Sequence, residues 1–207
     1  MANVVFDFDG TLADTFPSII DVAYRLSPRT RRLPPEAIAD LRRLPLLNAM
    51  RSLGIPLLRL PFLILFTRKR LTPHMGDVPA YPGVESTVKA LHKAGHQLFI
   101  LTSNYKENVE IFLQRHKLER YFVDIQTVQY ANTMTKTLAL RRLLKQYGLA
   151  TKKTHHVGNE ALDIRAARRV GMPSVAVAWG GYDGKALRAS KPTVIIDQPQ
   201  ELVKLLQ

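Results

Sequence analysis

Two aspartates, Asp7 and Asp9, stand one residue apart where a short apolar run near the start of the chain ends. Carboxylates this close repel one another, and burying them at the tip of a strand costs desolvation free energy. A chain that places them there needs a compensating cation or a reaction that uses them. A third acid, Asp14, follows in the next turn, where we expect it to cap or brace the chain.

More polar residues follow other apolar runs or open a helix. They comprise hydroxyls, amides, one lysine and one further acid: Thr102, Ser103, Asn104, Lys136, Asn159 and Asp163. Hydroxyl, amide and lysine donors suit phosphoryl oxygens, whereas paired carboxylates suit a nucleophile, a proton donor and a divalent cation. This set of side chains predicts phosphoryl transfer to a carboxylate, with Asp7 as the nucleophile.

Short apolar runs alternate with helical patterns from residue 81 onward, and this alternation must position those side chains. We predict strands at 3–8, 97–101, 124–128, 155–157, 174–178 and 193–196. We predict the intervening helices at 82–95, 106–116, 136–147, 162–170, 185–189 and 199–206. The pattern indicates an α/β fold, a doubly wound, Rossmann-like parallel sheet with helices on both faces. In such sheets functional groups collect beyond the carboxyl ends of the strands.

Residues 15–80 do not follow this alternation and are far too long for a strand-to-helix connection. We predict a small helical cap inserted after the first strand, with residues 1–14 and 81–207 forming the core domain. The segment carries 11 Lys and Arg against 4 Asp and Glu, or +7 of the net charge of +13. Such a field attracts phosphorylated metabolites, nucleic acid or anionic lipid, unless it is only a solvated surface. Arg68, Lys69 and Arg70 are the basic cluster expected to affect anionic substrates.

The composition restricts the possible classes of site. The chain has no cysteine, which excludes disulfides, thiolate metal sites and a cysteine nucleophile, and which fits a reducing compartment. No signal peptide is evident at the N-terminus. The longest apolar segment, residues 54–66, contains Arg59 and two prolines and is too short to span a bilayer. We therefore expect a cytoplasmic protein without a transmembrane segment.

Four motifs make the sequence resemble the haloacid dehalogenase superfamily, and within it the capped, phosphoglycolate phosphatase-like phosphatases. The motifs occur in the family's order across nearly the whole chain: DFDGTLAD at 7–14, FILTSN at 99–104, Lys136 within TKTLALRRLLK, and VGNEALDIRAAR at 157–168. The first is the most specific, whereas the second and third gain weight from their order. The resemblance implies a magnesium-dependent phosphatase that hydrolyses a small phosphate monoester admitted under a helical cap.

The resemblance also implies a role for each catalytic and substrate-binding residue. Asp7 would attack phosphorus and become an aspartyl phosphate, and Asp9 would protonate the leaving alcohol and then activate water. Thr102 and the backbone amide of Ser103 would hold phosphoryl oxygens, and Asn104 would lie beside them in the substrate-binding site. Lys136 would hold the nucleophile and the phosphoryl group together.

The metal motif departs from the family pattern at one position. The resemblance implies Mg²⁺ held by the Asp7 carboxylate, the Asp9 main-chain carbonyl and the motif that contains Asn159 and Asp163. This branch usually has VGDE, whereas this chain has VGNE, so an amide that can coordinate magnesium without contributing charge replaces an acid. Asp163 or Glu160 would then have to compensate. The dehalogenases proper work without metal but lack the second acid of the first motif, so the presence of Asp9 favours a phosphatase.

Two alternatives remain open at this point. One is a pseudo-enzyme that has lost metal affinity through Asn159 and binds nucleic acid or another anion with its basic surface. The other is a phosphomutase, which shares the nucleophile and the acid. His155 and His156 precede the metal motif but point to opposite faces of a strand, so we interpret them as packing residues.

Overall fold

The computed structural model describes residues 1–20, 33–44, 46–54, 69, 71–129, 132–181 and 184–207. Six strands form one parallel sheet: β1 (Asn3–Phe6), β2 (Gln97–Thr102), β3 (Phe122–Thr127), β4 (Thr154–Gly158), β5 (Ser174–Val177) and β6 (Val194–Ile196). Their order is β3-β2-β1-β4-β5-β6. The direction of winding reverses between β1 and β4, the point at which doubly wound sheets open a crevice. The predicted α/β, Rossmann-like sheet is confirmed.

Besides residues 16–20, which are also helical, the described residues form eight α-helices: α1 (Pro35–Arg43), α2 (Leu46–Ser52), α3 (Val84–Lys93), α4 (Lys106–Arg115), α5 (Thr133–Gln146), α6 (Ala161–Val170), α7 (Gly184–Ala189) and α8 (Gln200–Leu205). Short 3₁₀ turns occur at Thr72–Asp77, Glu119–Tyr121 and Thr151–Lys153. In this part of the chain no helix has both the length and the apolar character needed to cross a membrane.

Alternating residues of the strands divide the core into two apolar layers. Val4 and Phe6 face one side, where they pack in a cluster with α3, α4 and α8. Val5 faces the other side and packs in a cluster with α5 and α6. Because successive strand side chains point to opposite faces, both faces of a buried parallel sheet must be covered by helices. The strand ends therefore remain as the accessible edge of the sheet.

The first strand is shorter than the predicted range 3–8, and it ends at Phe6. The carbonyl of Phe8 accepts hydrogen bonds from the backbone N–H groups of Thr11, Leu12 and Ala13, at 3.2, 2.9 and 3.1 Å. These bonds form a tight turn in place of strand pairing. The turn takes the chain away from the sheet after Asp7, whose N–H still donates to Val157 O, so Asp7 lies at the strand end and Asp9 just beyond it.

Two helices begin with capping boxes that fix where their first turns lie. At α5, Asn132 Oδ1 accepts from Thr135 N at 2.9 Å and the Thr135 hydroxyl accepts from Asn132 N at 3.1 Å. This cap starts α5 at Thr133, three residues before the predicted start, and places Lys136 in its first turn. At α6, Glu160 and Asp163 form the equivalent pair.

Helices α1 and α2 lie in the chain between β1 and β2, as the predicted insertion requires. They contribute to an apolar cluster of their own, built around Ile20, Leu41, Ala49 and Leu53. The described chain leaves and re-enters the core side by side, because Ala13 and Ala80 form an antiparallel bridge. The boundaries 15–80, 1–14 and 81–207 stay a prediction. Arg68, Arg70 and residues 55–66 lie outside the described residues, whereas Lys69 is exposed.

Candidate active site

The nucleophile predicted from the sequence lies at the switch point of the sheet. The backbone N–H of Asp7 donates to Val157 O at 2.8 Å, which joins the end of β1 to the end of β4. The Asp7 side chain is buried, and its Oδ1 accepts a hydrogen bond of 2.8 Å from Lys136 Nζ. A lysine from the first turn of α5 therefore neutralises a carboxylate that the strand end has buried.

The same ammonium also contacts Asp163, which has two functions in the structure. Asp163 Oδ1 accepts from Lys136 Nζ, and Asp163 Oδ2 accepts from Glu160 N at 3.2 Å within the capping box of α6. His156 Nε2 lies 3.5 Å from Asp163 Oδ1, and His156 Nδ1 donates to Val5 O at 2.9 Å. Because Asp163, Lys136 and His156 are all buried, Asp163 holds the lysine in place while it also caps a helix.

Burial and mutual attraction set the ionisation of this group. Burial raises the pKa of the Asp7 carboxyl well above its usual range; the Lys136 ammonium opposes this rise, and the Asp163 and Asp9 carboxylates add to it. Burial disfavours the charge on Lys136, yet Asp163 and Asp7 together raise its pKa. Burial also opposes ionisation of Asp163, but Lys136 and His156 lower its pKa to about 2. Lys136 therefore stays protonated, and Asp163 is its permanent counterion.

The second predicted acid is held by an amide. Asn104 Nδ2 donates to both carboxylate oxygens of Asp9, at 3.0 and 3.3 Å. The orientation of this amide is fixed because Asn104 Oδ1 accepts from Tyr105 N and from Asn108 Nδ2, each at 2.8 Å. The substrate-binding role of Asn104 stays a prediction, and in the structure its side chain bonds to Asp9, the predicted acid.

The hydroxyl motif follows β2 on the other side of β1. Thr102 is fully buried, and its Oγ1 accepts from Asn104 N at 2.9 Å. A hydroxyl that accepts one bond keeps its own proton, so Thr102 can still donate to an anion. Ser103 is partly exposed at the strand end. Both residues thus lie at the same edge as Asp7 and Asp9.

Asn159, the position that departs from the family pattern, is fully buried beside the first turn. Its Oδ1 accepts from Thr11 Oγ1 at 3.3 Å, whereas its Nδ2 has no hydrogen-bond partner. Two glycines make room for it: a Cβ added to Gly10 would lie 2.1 Å from Asn159 Nδ2, and one added to Gly180 would lie 2.8 Å from the same atom. The loops after β1 and β5 therefore pack closely against this amide at the strand end.

The side chains at this edge fit a hard divalent cation by the chemistry of their donors. The Asp7 carboxylate, the Asp9 carbonyl and the Asn159 amide all offer oxygen, which Mg²⁺ prefers. Within the described ranges no three His, Asp or Glu side chains form a cluster that could hold a metal ion. Because residue 159 is an asparagine, these oxygen donors carry one negative charge fewer than they would with an aspartate at that position. The buried Nδ2 of this amide has no hydrogen-bond partner.

The structure brings together most of the residues selected from the sequence. Asp7, Lys136 and Asp163 are directly bonded, and Asp9 is bonded to Asn104. Sequence reasoning missed three contributors: Thr11, Asn108 and His156. The signal for Asn108 was present, because it stands one helical turn after Asn104. His156, interpreted as packing alone, also lies against Asp163.

Three comparisons place the chain among known proteins. A family model described as haloacid dehalogenase-like hydrolase matches residues 4–177. The chain is 31% identical over 208 residues to a phosphoglycolate phosphatase of Synechococcus elongatus, covering 99% of this chain and 96% of that relative. It is 26% identical over 215 residues to a phosphoglycolate phosphatase of Pseudomonas fluorescens, covering 97% and 78% of the two chains.

A solved structure of a haloacid dehalogenase-like hydrolase from Streptococcus pneumoniae has a TM-score of 0.81 over 100% of this chain and 99% of its own. At 18% identity it bears on the fold alone. The sequence relatives and the matched family model cover the motifs that bring Asp7, Asp9, Lys136 and Asp163 to one edge of the sheet. This chain belongs to the haloacid dehalogenase-like hydrolase family, as its motifs predicted.

Proposed function

We propose that this chain hydrolyses a small phosphate monoester by transferring the phosphoryl group first to Asp7 and then to water. The observation that carries the proposal is the buried Asp7 carboxylate at the switch point, with the Lys136 ammonium 2.8 Å away. Neighbouring Asp9, bonded to Asn104, supplies a second carboxylate. Because the relatives at 31% and 26% identity are named phosphoglycolate phosphatases, 2-phosphoglycolate is the first ester to test.

The proposed reaction has two steps in which the proton returns to its starting point. An Asp7 oxygen attacks phosphorus as the ester P–O bond breaks, and Asp9 gives its proton to the leaving alkoxide. Asp9 then takes a proton from a water molecule, which attacks phosphorus and breaks the bond to Asp7. The Thr102 hydroxyl and the Ser103 backbone N–H donate to the phosphoryl oxygens, and the protonated Lys136 balances their charge.

Mg²⁺ fits this site and would be held by the Asp7 carboxylate, the Asp9 carbonyl and the Asn159 amide oxygen. The ion would neutralise negative charge on the phosphoryl group. Asp163, the fourth predicted ligand, already accepts from Lys136 and from the backbone of Glu160. We therefore propose that Asp163 supports the metal site indirectly, by keeping Lys136 in place.

The helical segment 15–80 is proposed to act as a cap that closes over the strand ends. Helices α1 and α2 have an apolar cluster separate from the two layers of the sheet domain, whereas Leu71, Met75 and Val78 at the end of the segment pack in the layer with α3 and α4. Its two connections to the core run side by side through Ala13 and Ala80. Two adjacent connections are a suitable hinge, and a cap above the nucleophile would select the substrate and exclude water.

A panel of phosphate esters, assayed for released phosphate with and without Mg²⁺, tests the proposal. We expect magnesium-dependent phosphate release from 2-phosphoglycolate or another small ester. A new phosphorylated product without free phosphate would identify a phosphomutase instead. No turnover of any ester at saturating Mg²⁺ would contradict hydrolysis and favour the pseudo-enzyme.

Substitution of Asn104 tests whether the amide positions the catalytic acid. Because Asn104 donates to Asp9, which is ionised when it takes a proton from water, Asn104→Ala should lose about 1.5–3 kcal/mol and lower kcat roughly tenfold or more. Asn108→Ala removes only the neighbour that orients the amide, so its loss in kcat should be smaller, about threefold to tenfold. Steady-state kinetics should show KM nearly unchanged in both variants. A rise in KM with constant kcat would instead indicate that Asn104 binds the substrate.

Restoring an acid at position 159 tests the metal site. Asn159→Asp adds the missing charge next to Asp7, so we expect Mg²⁺ to bind about 10- to 100-fold more tightly, or roughly 1.4 to 2.8 kcal/mol. Calorimetric titration of Mg²⁺ measures this without turnover. Activity at limiting Mg²⁺ should rise more than activity at saturation.

Asn132→Asp, the same change at the exposed cap of α5, is the matched control and should leave the Mg²⁺ affinity unchanged. Equal Mg²⁺ affinities of the wild type and Asn159→Asp would show that the amide at position 159 does not weaken metal binding.

A further inference from the structure

The positive charge outside segment 15–80 is concentrated in one part of the core. Residues 132–196 carry 12 Lys and Arg against 3 Asp and Glu, or +9. The other core residues carry 7 Lys and Arg against 10 Asp and Glu, or −3. The net charge of the whole core is only +6, because the −3 of the other core residues partly offsets the +9 of residues 132–196.

Half of these twelve basic residues lie on the outer surface of two adjacent helices. Helices α5 and α6 pack side by side on one face of the sheet, with their apolar residues turned inward. Their exposed positions carry five arginines and one lysine, which we name the basic face: Arg141, Arg142, Lys145, Arg165, Arg168 and Arg169. The three basic residues on each helix form a row that spans four residues, or about 6 Å at a rise of about 1.5 Å per residue. The axes of two packed helices lie about 8–10 Å apart.

No acidic side chain offsets this charge on the two helices themselves. Their only acidic residue is Asp163, which is fully buried and bonded to Lys136. Among the ion pairs between described residues, none includes a member of the basic face. The opposite helical layer is different, because Lys89 pairs with Glu85 at 3.7 Å and Lys106 with Glu110 at 3.8 Å. The basic face is therefore not neutralised by ion pairs between described residues, whereas the charge of the opposite layer is mixed.

We infer that the basic face binds the phosphodiester backbone of a nucleic acid duplex without reading its sequence. Arginine predominates, and its planar guanidinium matches phosphate with two parallel hydrogen bonds. Two cationic rows about one helix diameter apart can contact the phosphates on both sides of a minor groove, which is about 6 Å wide. Neither helix has an aromatic side chain on which the bases of a single strand could stack.

The basic face is separate from the candidate active site. Helix α5 begins at the carboxyl edge of the sheet, where Lys136 lies in its first turn, whereas Arg141 and Arg142 lie about one and a half turns further along. Arg168 and Arg169 lie in the last turn of α6, equally far from that edge. A duplex bound there leaves the strand ends accessible, so this inference does not depend on the proposed hydrolysis.

The test measures binding of the full chain to a short DNA duplex of random sequence as salt is varied between about 50 and 200 mM. Neutralising six phosphates predicts a plot of log affinity against log salt with a slope of about −5. The triple variant Arg142→Gln, Lys145→Gln, Arg169→Gln should reduce the slope by about 3 and weaken binding at every salt concentration. Its hydrolytic activity should equal that of the wild type.

The matched control is the triple variant Lys93→Gln, Arg115→Gln, Lys204→Gln. These residues are exposed in the last turns of α3, α4 and α8 on the opposite layer, so net charge and helix-end position change equally. The control should keep the slope of the wild type. Equal weakening by both triple variants would overturn the inference, because attraction would then follow net charge alone. Absence of duplex binding at about 50 mM salt would overturn it too.

A membrane is the competing polyanion, since the exposed Met134 and Leu138 continue the row of α5 toward its start. The row on α6 has no exposed apolar continuation, which favours the duplex. Sedimentation with vesicles of phosphatidylserine and phosphatidylcholine separates the two. Binding to vesicles but not to the duplex would overturn the inference. Duplex binding that persists with excess vesicles would support it.

Discussion

Replacement of Asp7 by asparagine is expected to remove turnover while leaving the fold intact. Asparagine has nearly the shape of aspartate but cannot attack phosphorus, so kcat should fall by at least about 10⁴-fold. Because the pKa of Asp7 is raised by burial, the folded protein favours a neutral group at this position. Lys136 keeps Asp163 as a partner after the change. The unfolding temperature, measured by calorimetry, should therefore equal or exceed that of the wild type.

Asp197→Asn is the matched control for this change, because Asp197 is exposed and lies after β6. It should retain full activity on the ester that the wild type hydrolyses fastest. Substantial turnover by Asp7→Asn would exclude the aspartyl phosphate pathway. A collapse of its unfolding temperature would instead show that the Asp7–Lys136 bond stabilises the fold more than burial of the carboxylate opposes it.

Replacement of Lys136 by methionine is expected to destabilise the protein as well as inactivate it. The variant leaves Asp7 and Asp163 buried side by side without a cation, which costs about 3–5 kcal/mol at neutral pH. In the wild type the pKa of Asp163 is about 2, below its usual value of about 3.9. The stabilisation that this ionised group contributes is therefore complete above about pH 4 and is lost as pH falls toward 2.

Loss of the ammonium should reverse this dependence on pH. Without Lys136, burial raises the pKa of Asp7 with no ammonium to oppose it, and at Asp163 only His156 still opposes burial, so the variant gains stability as pH falls from neutral toward about 5. Urea unfolding at the two pH values should show the gap to the wild type narrowing in acid. Lys145→Met changes an exposed lysine on the same helix and should cost no more than about 0.5 kcal/mol. A gap independent of pH would argue against two uncompensated carboxylates.

The elements around the sheet follow from hydrophobic patterning, whereas their ends depend on local hydrogen bonds. Each predicted strand from residue 97 onward is present within two residues of its predicted bounds, because buried parallel strands read as short apolar runs. The early start of α5 depends on the capping box of Asn132 and Thr135. The predicted extension of β1 to Phe8 was wrong, since the Phe8 carbonyl is taken up by three turn N–H groups.

Most side chains predicted for the site lie at one edge of the sheet, but their partners depend on the packing of separate elements. Patterning places Asp7 and Lys136 at one edge of the sheet, and only the order of the strands brings them within 2.8 Å. The turn of Asn104 toward Asp9 depends on Asn108, whose spacing of four residues predicts that the two side chains can meet but not which of their atoms bond. The basic face likewise required knowledge that α5 and α6 are neighbours.

The side-by-side connections of segment 15–80 also bear on how the chain folds. Phe6 pairs with Ile100 in the central strands, so a direct search must close a loop of more than ninety residues. Asp14 N donates to Pro79 O at 2.9 Å, and once that contact exists the remaining path between the two strands is roughly a third as long. The saving in loop-closure entropy is about 1 kcal/mol. An insertion that folds early on its own apolar cluster would therefore act as a tether that lowers the effective contact order of the central sheet and speeds its assembly.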